Sequence, residues 1–217
     1  MIKAFLLDLD HTLYDYHACN NYAISVVCEH LSKKYGKPTE VVAEHYANAR
    51  KAVKKSVGNV AASHSRLLYL QKTIETLTGK TDFAETLEAH ELFWNSFFSK
   101  MTLYPGVLDF LETAESEGVK IAIVSDLTAG VQLKKLRHLK IQPFVDFLVS
   151  SEEAGVEKPD SRIFQLALEK LNVAKRDVVV VGDDLERDKL GAEQFGLQFI
   201  LANPQFFSEK AWLKLFE

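Results

Sequence analysis

The middle of the chain, residues 14 to about 100, carries apolar side chains at helical spacing and no convincing strand. The apolar positions recur every three or four residues, which indicates amphipathic helices. Gly36, Gly58 and Gly79 interrupt the pattern, as expected where helices end. The repeats predict four helices around residues 24–35, 42–53, 67–77 and 83–97. Four helices with one apolar face each predict a small bundle.

Outside this segment, short continuous apolar runs alternate with helical stretches. Five runs have the length of buried strands: residues 2–7, 119–124, 144–149, 178–181 and 197–201. Strands that alternate with helices predict a parallel sheet covered on both faces. We therefore predict an α/β fold, with a doubly wound, mainly parallel, five-stranded Rossmann-like core over residues 1–14 and 101–217. The all-helical segment, residues 15–100, is then an insertion after the first strand.

Polar side chains follow several of these strands at the point where each one ends. Asp8 and Asp10 follow the first run, Ser125 the second and Asp183 the fourth, while Lys158 lies in a later loop. Ligands of open parallel sheets bind beyond the carboxyl ends of the strands, where such side chains meet. Each residue alone has an ordinary explanation, such as a helix cap or a surface charge. However, carboxylates as close as Asp8 and Asp10 are costly without a cation, which favours a metal site. The helical insertion leaves from this edge, so we expect it to act as a cap that excludes water.

The composition of the 217-residue chain is that of a globular protein, with 47% hydrophobic residues, 26% charged residues and a net charge of −4. The acidic balance argues against nucleic acid as a partner. No apolar run reaches the roughly 20 residues of a membrane span, and the N-terminus lacks the basic region and cleavage site of a secretory signal. We therefore expect a cytoplasmic protein with no membrane partner. Cys19 and Cys28 give neither a disulfide framework nor the spacing of a zinc site.

Four short motifs occur in order along the chain: DLDHT, VSD, EKPD and GDDLERD. Together they resemble the signature of the haloacid dehalogenase superfamily, and the resemblance extends over essentially the whole chain. One departure is Asp126, at a position where relatives often carry Asn. The resemblance implies a haloacid dehalogenase-like fold and the activity of a Mg²⁺-dependent phosphatase that acts on a small phosphorylated metabolite.

The resemblance also implies a role for each motif residue. Asp8 is the nucleophile that forms an aspartyl-phosphate, and Asp10 is the general acid and later the base. Ser125 and Lys158 hold the transferring phosphoryl group. This chemistry is reasonable, because a carboxylate needs no deprotonation to attack and a second carboxyl can protonate the leaving oxygen. The implied metal ligands are Asp8, Asp10 through its backbone carbonyl and Asp183, with Asp188 as an outer-shell or alternate ligand. The implied substrate contacts are Leu9, Asp10, Ser125, Asp126 and Lys158.

Other functions stay open at this point. A dehalogenase is disfavoured by Asp10, because a halide leaving group needs no general acid. A phosphomutase would keep every catalytic residue, so the sequence does not separate it from a phosphatase. A receiver-like phospho-signalling or phosphate-binding module, a different class of protein, combines similar residues. However, its accepting Asp belongs at the end of the third strand, where Ser150 and Ser151 stand.

Substrate specificity is expected to come from the helical insertion, which no motif marks. The candidates nearest the nucleophile in sequence are Tyr14, Tyr16, His17, Asn20 and Asn21. A set of basic residues could attract an anionic substrate, but a solvated helix face is the preferred interpretation: Arg50, Lys51, Lys54, Lys55 and Arg66. We expect a monomer or a small homo-oligomer whose partner is a small phosphate ester.

Overall fold

The computed structural model describes all 217 residues, which divide into two compact units. The sheet unit comprises residues 1–15 and 102–217, and the helical unit comprises residues 16–101. In chain order the strands and helices are β1 (Ala4–Leu7), α1 (Tyr16–Tyr35), α2 (Thr39–Val57), α3 (Arg66–Thr78), α4 (Phe83–Ser99), α5 (Val107–Ser116), β2 (Lys120–Ser125), α6 (Ala129–Leu139), β3 (Phe147–Ser150), α7 (Ser151–Ala154), α8 (Ser161–Leu171), β4 (Val178–Gly182), α9 (Leu190–Phe195), β5 (Gln198–Leu201) and α10 (Pro204–Ser208). None of the helices is long and apolar enough to cross a membrane.

The sheet unit is built on five parallel strands in the order β3-β2-β1-β4-β5. β1 is therefore the central strand, and all four of its residues are buried. Leu7, its last residue, lies level with Ile123 of β2 and Val181 of β4. The carboxyl end of β1 thus meets those of both neighbours, which is the position that ligand sites take in open α/β sheets.

Helices cover both faces of this sheet. On one side, Phe164 and Ala167 of α8 belong to the same apolar cluster as Leu6 and Val180. Elsewhere in the unit, Phe110 of α5 contacts the ring of Phe5 at a centroid distance of 5.1 Å. A doubly wound, five-stranded parallel sheet is the predicted fold class, and it is confirmed.

The third strand begins later than predicted. Residues 142–144 form a short 3₁₀ helix instead of the start of a strand. Pro143 lies in its first turn, where a fixed φ and a missing N–H are tolerated. β3 then spans Phe147–Ser150. The wrong prediction arose because Phe144 and Val145 continue the apolar run, although Phe144 belongs to the helical turn.

The helical unit consists of α1 to α4, with α1 packed on α4 and α2 on α3. Side chains cap two of the helices. Ser65 accepts a hydrogen bond from the Leu68 N–H at the start of α3, and Asp82 accepts one from the Glu85 N–H at the start of α4. Gly79 ends α3 in the left-handed conformation, with φ 77°. These boundaries follow the predicted glycine and apolar pattern closely.

One interpretation of the helical unit is wrong. The sequence predicts Arg66 on a solvated helix face, but its surface is only 5% exposed. Its guanidinium carbon lies 5.6 Å from the ring centroid of Phe93 and 5.7 Å from that of Tyr69. Arginine stacks on aromatic faces because its planar cation is weakly hydrated, so aromatic neighbours can hold it out of water.

Candidate active site

The loop that follows β1 carries the two carboxylates of the first motif. The Asp8 N–H donates to the backbone oxygen of Val181 at 3.0 Å, so Asp8 continues the pairing of β1 with β4. His11 then adopts φ 71°, a left-handed conformation that lets the chain turn back within a few residues. Asp8 is therefore fixed at the end of the central strand, with only 7% of its surface exposed.

Three carboxylates gather at this edge of the sheet. One oxygen each from Asp8, Asp183 and Asp188 lies within 4.8 Å of the other two. The Thr12 hydroxyl lies 2.9 Å from both Asp8 Oδ2 and Asp183 Oδ1, and its single proton can serve only one of them at a time. Gly182 makes this approach possible, since a Cβ there would lie 2.3 Å from Asp188 Oδ2. The oxygen-only donor set fits a hard cation such as Mg²⁺.

Lys158 is the ammonium at the centre of this cluster. Its Nζ lies 2.6 Å from Asp8 Oδ1 and 2.6 Å from Asp188 Oδ1, and it also donates to the Val124 carbonyl at 3.0 Å. Burial raises the pKa of Asp8 well above its usual value, although Lys158 opposes the shift. Burial alone would lower the pKa of Lys158, but Asp188 and Asp8 reverse this effect and hold that pKa well above its usual value. One ammonium does not balance three carboxylates, so the charges also favour an added cation.

Ser125 ends β2, the strand beside the one that Asp8 follows. Its Oγ accepts a hydrogen bond from Gln132 Nε2 at 2.6 Å, and Gln132 is fully buried on α6. A hydroxyl that accepts from an amide keeps its own proton for another acceptor. Ser125 can therefore donate to an anionic oxygen, as a phosphoryl-binding residue must.

Asp126 has two clear partners. Its Oδ1 accepts from the Lys158 backbone N–H at 2.9 Å, and its Oδ2 pairs with Arg187 at 2.9 Å. Burial raises the pKa of Asp126, and Lys158 opposes that shift. The Asp126 side chain thus ties the Lys158 loop to the end of β2.

Asp10 is held by a residue that the motifs do not include. Lys135 Nζ lies 2.6 Å and 2.7 Å from the two carboxylate oxygens of Asp10, and Lys135 is fully buried. Tyr14 also donates a hydrogen bond to the Asp10 carboxylate and is fully buried. Two donors from different segments fix the orientation of the Asp10 carboxyl.

The sequence pattern of α6 contains evidence for Lys135 and Gln132 that the motifs do not capture. The buried face of α6 consists of Gln132, Lys135, Leu136 and Leu139. Two polar residues therefore share the apolar stripe of an amphipathic helix, where lysine almost never lies without a partner. Such an exception to the pattern indicates a buried polar site.

The structure brings Asp8, Lys158, Asp183 and Asp188 together, and Ser125 ends the neighbouring strand. The positions of Asp8, Ser125 and Asp183 at strand ends follow the sequence prediction, whereas Lys158 and Asp188 come from a loop and a helical turn. Leu9 is fully buried in this structure, so its contact with substrate stays a prediction.

Comparisons with known proteins agree with this geometry. Residues 2–196 match the model of the family described as haloacid dehalogenase-like hydrolase. Ribulose-1,5-bisphosphate 5-phosphatase of Halopiger xanaduensis is 38% identical over 94% of this chain and 86% of its own. Glyceraldehyde 3-phosphate phosphatase of Methanopyrus kandleri is 32% identical over 91% of this chain and 82% of its own.

Among solved structures, a HAD phosphatase from Thermococcus onnurineus superposes with a TM-score of 0.71 at 23% identity, over 93% of this chain and 86% of the other. This last similarity concerns the fold alone. The chain belongs to the haloacid dehalogenase-like hydrolase family, and within it to the phosphatases.

Proposed function

We propose that this phosphatase is Mg²⁺-dependent and hydrolyses a small phosphorylated sugar through an aspartyl-phosphate on Asp8. The observation that carries the proposal is the buried cluster of Asp8, Asp183 and Asp188 around the Lys158 ammonium. A purely structural cluster would have no need for three carboxylates with a single cation, because unbalanced buried charge is costly.

The residues that would hold Mg²⁺ are Asp8, Asp183 and Asp188, with the Asp10 backbone carbonyl as a further ligand implied by the resemblance. All donors are oxygen atoms, and one oxygen from each of the three carboxylates lies within 4.8 Å of the other two. When bound, the ion would neutralise these carboxylates so that an anionic phosphate ester can approach them.

In the first step, a carboxylate oxygen of Asp8 attacks phosphorus. The bond from Asp8 oxygen to phosphorus forms as the bond from phosphorus to the ester oxygen breaks, and the leaving oxygen takes a proton from Asp10. Lys158 and Ser125 donate to the phosphoryl oxygens, which spreads the charge of the transferring group. Lys135 and Tyr14 keep the Asp10 carboxyl oriented during this transfer.

In the second step, water attacks the phosphorus of the aspartyl-phosphate. Asp10 now accepts a proton from that water, and the bond between phosphorus and the Asp8 oxygen breaks. Inorganic phosphate leaves, Asp8 returns to the carboxylate form and Asp10 is protonated again for the next cycle. One residue thus serves both steps, which is why the position of its carboxyl matters.

The substrate class we propose is a phosphorylated sugar or sugar-derived metabolite. Two relatives above 30% identity support this choice, since their names give ribulose 1,5-bisphosphate and glyceraldehyde 3-phosphate as substrates. We further propose that residues 15–100 act as the cap and that residues 1–14 with 101–217 form the catalytic core.

A screen of phosphorylated metabolites with Mg²⁺ tests this proposal. We expect release of inorganic phosphate from ribulose 1,5-bisphosphate or a related sugar phosphate, and loss of that activity in EDTA. Asp183→Asn should raise the Mg²⁺ concentration needed for half-maximal activity without loss of the folded state. Asp184→Asn is the matched control, because Asp184 caps the next turn and lies outside the carboxylate cluster. Full activity in EDTA would contradict the metal assignment, and unfolding of Asp183→Asn would indicate a structural role instead.

A further inference from the structure

A buried carboxylate outside the cluster of three lies beside the residues that we propose to hold the phosphoryl group. Asp126 follows Ser125 directly in the chain, and its Oδ1 accepts a hydrogen bond from the backbone N–H of Lys158 at 2.9 Å. It is thus joined to one of these residues by the chain and to the other by a hydrogen bond. A negative charge in this place repels an anionic phosphate unless a cation offsets it.

Arg187 supplies the cation that faces Asp126. Its Nη1 lies 2.9 Å from Asp126 Oδ2, and the side chain of Arg187 is 40% exposed whereas that of Asp126 is 7% exposed. Burial alone would lower the pKa of the Arg187 guanidinium, but the charges of Asp126 and Glu157 reverse this effect and raise that pKa. Arg187 therefore stays charged and compensates the buried carboxylate.

A single helical turn holds Arg187 in this position. Residues 185–189 form a π-helical turn, and the Asp184 side chain caps it by accepting hydrogen bonds from two of its backbone N–H groups. From the same turn, Asp188 contacts Lys158 Nζ at 2.6 Å, while Arg187 extends to the end of β2. Such turns are frequent at functional sites. The turn that completes the carboxylate cluster thus also fixes the place of Arg187.

We infer that Arg187 is a positioning residue for phosphate binding, which acts through Asp126 and does not touch the anion itself. The inference rests on the proposed function, because it takes Ser125 and Lys158 as the residues that hold the phosphoryl group. Asp126 ties the Lys158 loop to β2, and Arg187 offsets the charge that this tie brings to the site. The site can then accept an anion.

Three variants and a control change the local charge in steps. Relative to wild type, Arg187→Met leaves one extra negative charge, Asp126→Asn leaves one extra positive charge, and the double variant Asp126→Asn/Arg187→Met restores the balance. The Asn oxygen can still accept from the Lys158 N–H, so the tie to the loop is kept. Lys189→Met is the matched control, because Lys189 lies on the same turn, is 45% exposed and faces Glu193 at 3.9 Å instead of Asp126.

Calorimetric titration with inorganic phosphate, in the presence of Mg²⁺ and at pH 8, measures the dissociation constant for phosphate in each protein. We expect Arg187→Met to raise this constant about tenfold, since a full charge beside an anion site has an effect of this size. Asp126→Asn should bind phosphate more tightly than wild type, and the double variant and Lys189→Met should match wild type. The loss in Arg187→Met should shrink in roughly 1 M salt, which screens charge.

Kinetics with p-nitrophenyl phosphate provide the second measurement. The KM values should follow the same order as the phosphate dissociation constants, whereas kcat should change little, because Asp8 and Asp10 are left intact. A merely structural role for Arg187 would lower the melting temperature without this order, and the double variant would then show the largest loss.

A double variant that binds phosphate as weakly as Arg187→Met would overturn the inference, since Arg187 would then contact the anion directly or hold the loop. Unchanged binding in Arg187→Met, or an equal loss in Lys189→Met, would overturn it too. If Arg187→Met does not fold, the comparison of Asp126→Asn with wild type decides, and no gain in phosphate affinity would contradict the inference. If wild type binds phosphate but hydrolyses no ester, the proposed function fails and the titrations still decide the role of Arg187.

Discussion

Replacement of Asp10 by Asn distinguishes the catalytic role of Asp10 from that of Asp8, the other carboxylate of the first motif. The amide has nearly the same shape as the carboxyl but can neither give a proton to a leaving oxygen nor take one from water. General acid–base assistance is worth roughly 10² to 10⁴ in rate, or about 2.7 to 5.4 kcal/mol of barrier. We therefore expect kcat for an alkyl phosphate to fall by roughly 10² to 10⁴. An aryl phosphate has a better leaving group, so its first step should lose much less.

The variant also disturbs the structure, and this effect must be separated from catalysis. Lys135 is fully buried and bonds both oxygens of Asp10, which is its counter-charge whenever Asp10 is ionised. Asp10→Asn removes that counter-charge in every state of the cycle. Loss of one partner of such a pair is destabilising, whereas replacement of both by neutral groups is often tolerated. The double variant Asp10→Asn/Lys135→Met is therefore the control, since it removes the stranded charge and should recover melting temperature.

Rapid-mixing kinetics with p-nitrophenyl phosphate and an alkyl phosphate measure the effect. Asp10→Asn should give a burst of nitrophenol close to one per active site, followed by slow turnover, because breakdown of the intermediate lacks its base. The double variant should show the same burst and the same slow turnover. Recovery of alkyl phosphate turnover in the double variant would refute the acid–base role, and so would equal losses on both substrates in both steps.

Three further predictions concern stability, metal affinity and thiol reactivity. Burial raises the pKa of Asp8 in the folded protein, so ionisation of this carboxyl lowers the free energy of unfolding as pH rises through that pKa. Metal-free Asp8→Asn should therefore melt no lower than wild type at pH 7, and a lower melting temperature in calorimetry would contradict this. Gly182→Ala should displace the Asp188 side chain, because the new Cβ would lie 2.5 Å from the Asp188 Cγ. In activity titrations the Mg²⁺ concentration at half-saturation should rise about tenfold or more, and an unchanged concentration would argue against Asp188 as a ligand. Burial raises the pKa of Cys28 from 9.0 to about 11, so the thiolate form is about one hundredfold less populated. Ellman's reagent should therefore label Cys28 slowly until guanidinium unfolds the chain, and fast labelling in the native protein would contradict this.

The strand ends were predictable because their signals are local. Each apolar run stops at a polar residue, and the carboxyl ends of parallel strands meet at one edge. That reasoning alone brings Asp8, Ser125 and Asp183 into one site without knowledge of any distance. The C-terminal ends of the helices in the helical unit followed in the same way from glycines and apolar spacing, but α1 begins at Tyr16 and not near residue 24 as predicted.

The rest of the site depends on tertiary packing that no local pattern encodes. Lys135 supports Asp10 only because α6 presents that face to the loop after β1. The partners of Asp126, which are Arg187 and the backbone N–H of Lys158, come from distant segments that no local pattern connects with it. The interpretation of Arg66 is wrong because a charge at the start of an amphipathic helix is usually solvated, whereas here the rings of Tyr16 and Phe93 from two other helices lie against it.

The central claim is that Asp8 carries the phosphoryl group between the two steps. The most direct measurement is rapid acid quench of Asp10→Asn with labelled aryl phosphate and Mg²⁺, followed by peptide mapping to find the labelled residue. We predict label on Asp8, with stoichiometry approaching one per chain, and neither label nor phosphate release in Asp8→Asn. Label on Ser125, or full activity of Asp8→Asn, would contradict the mechanism.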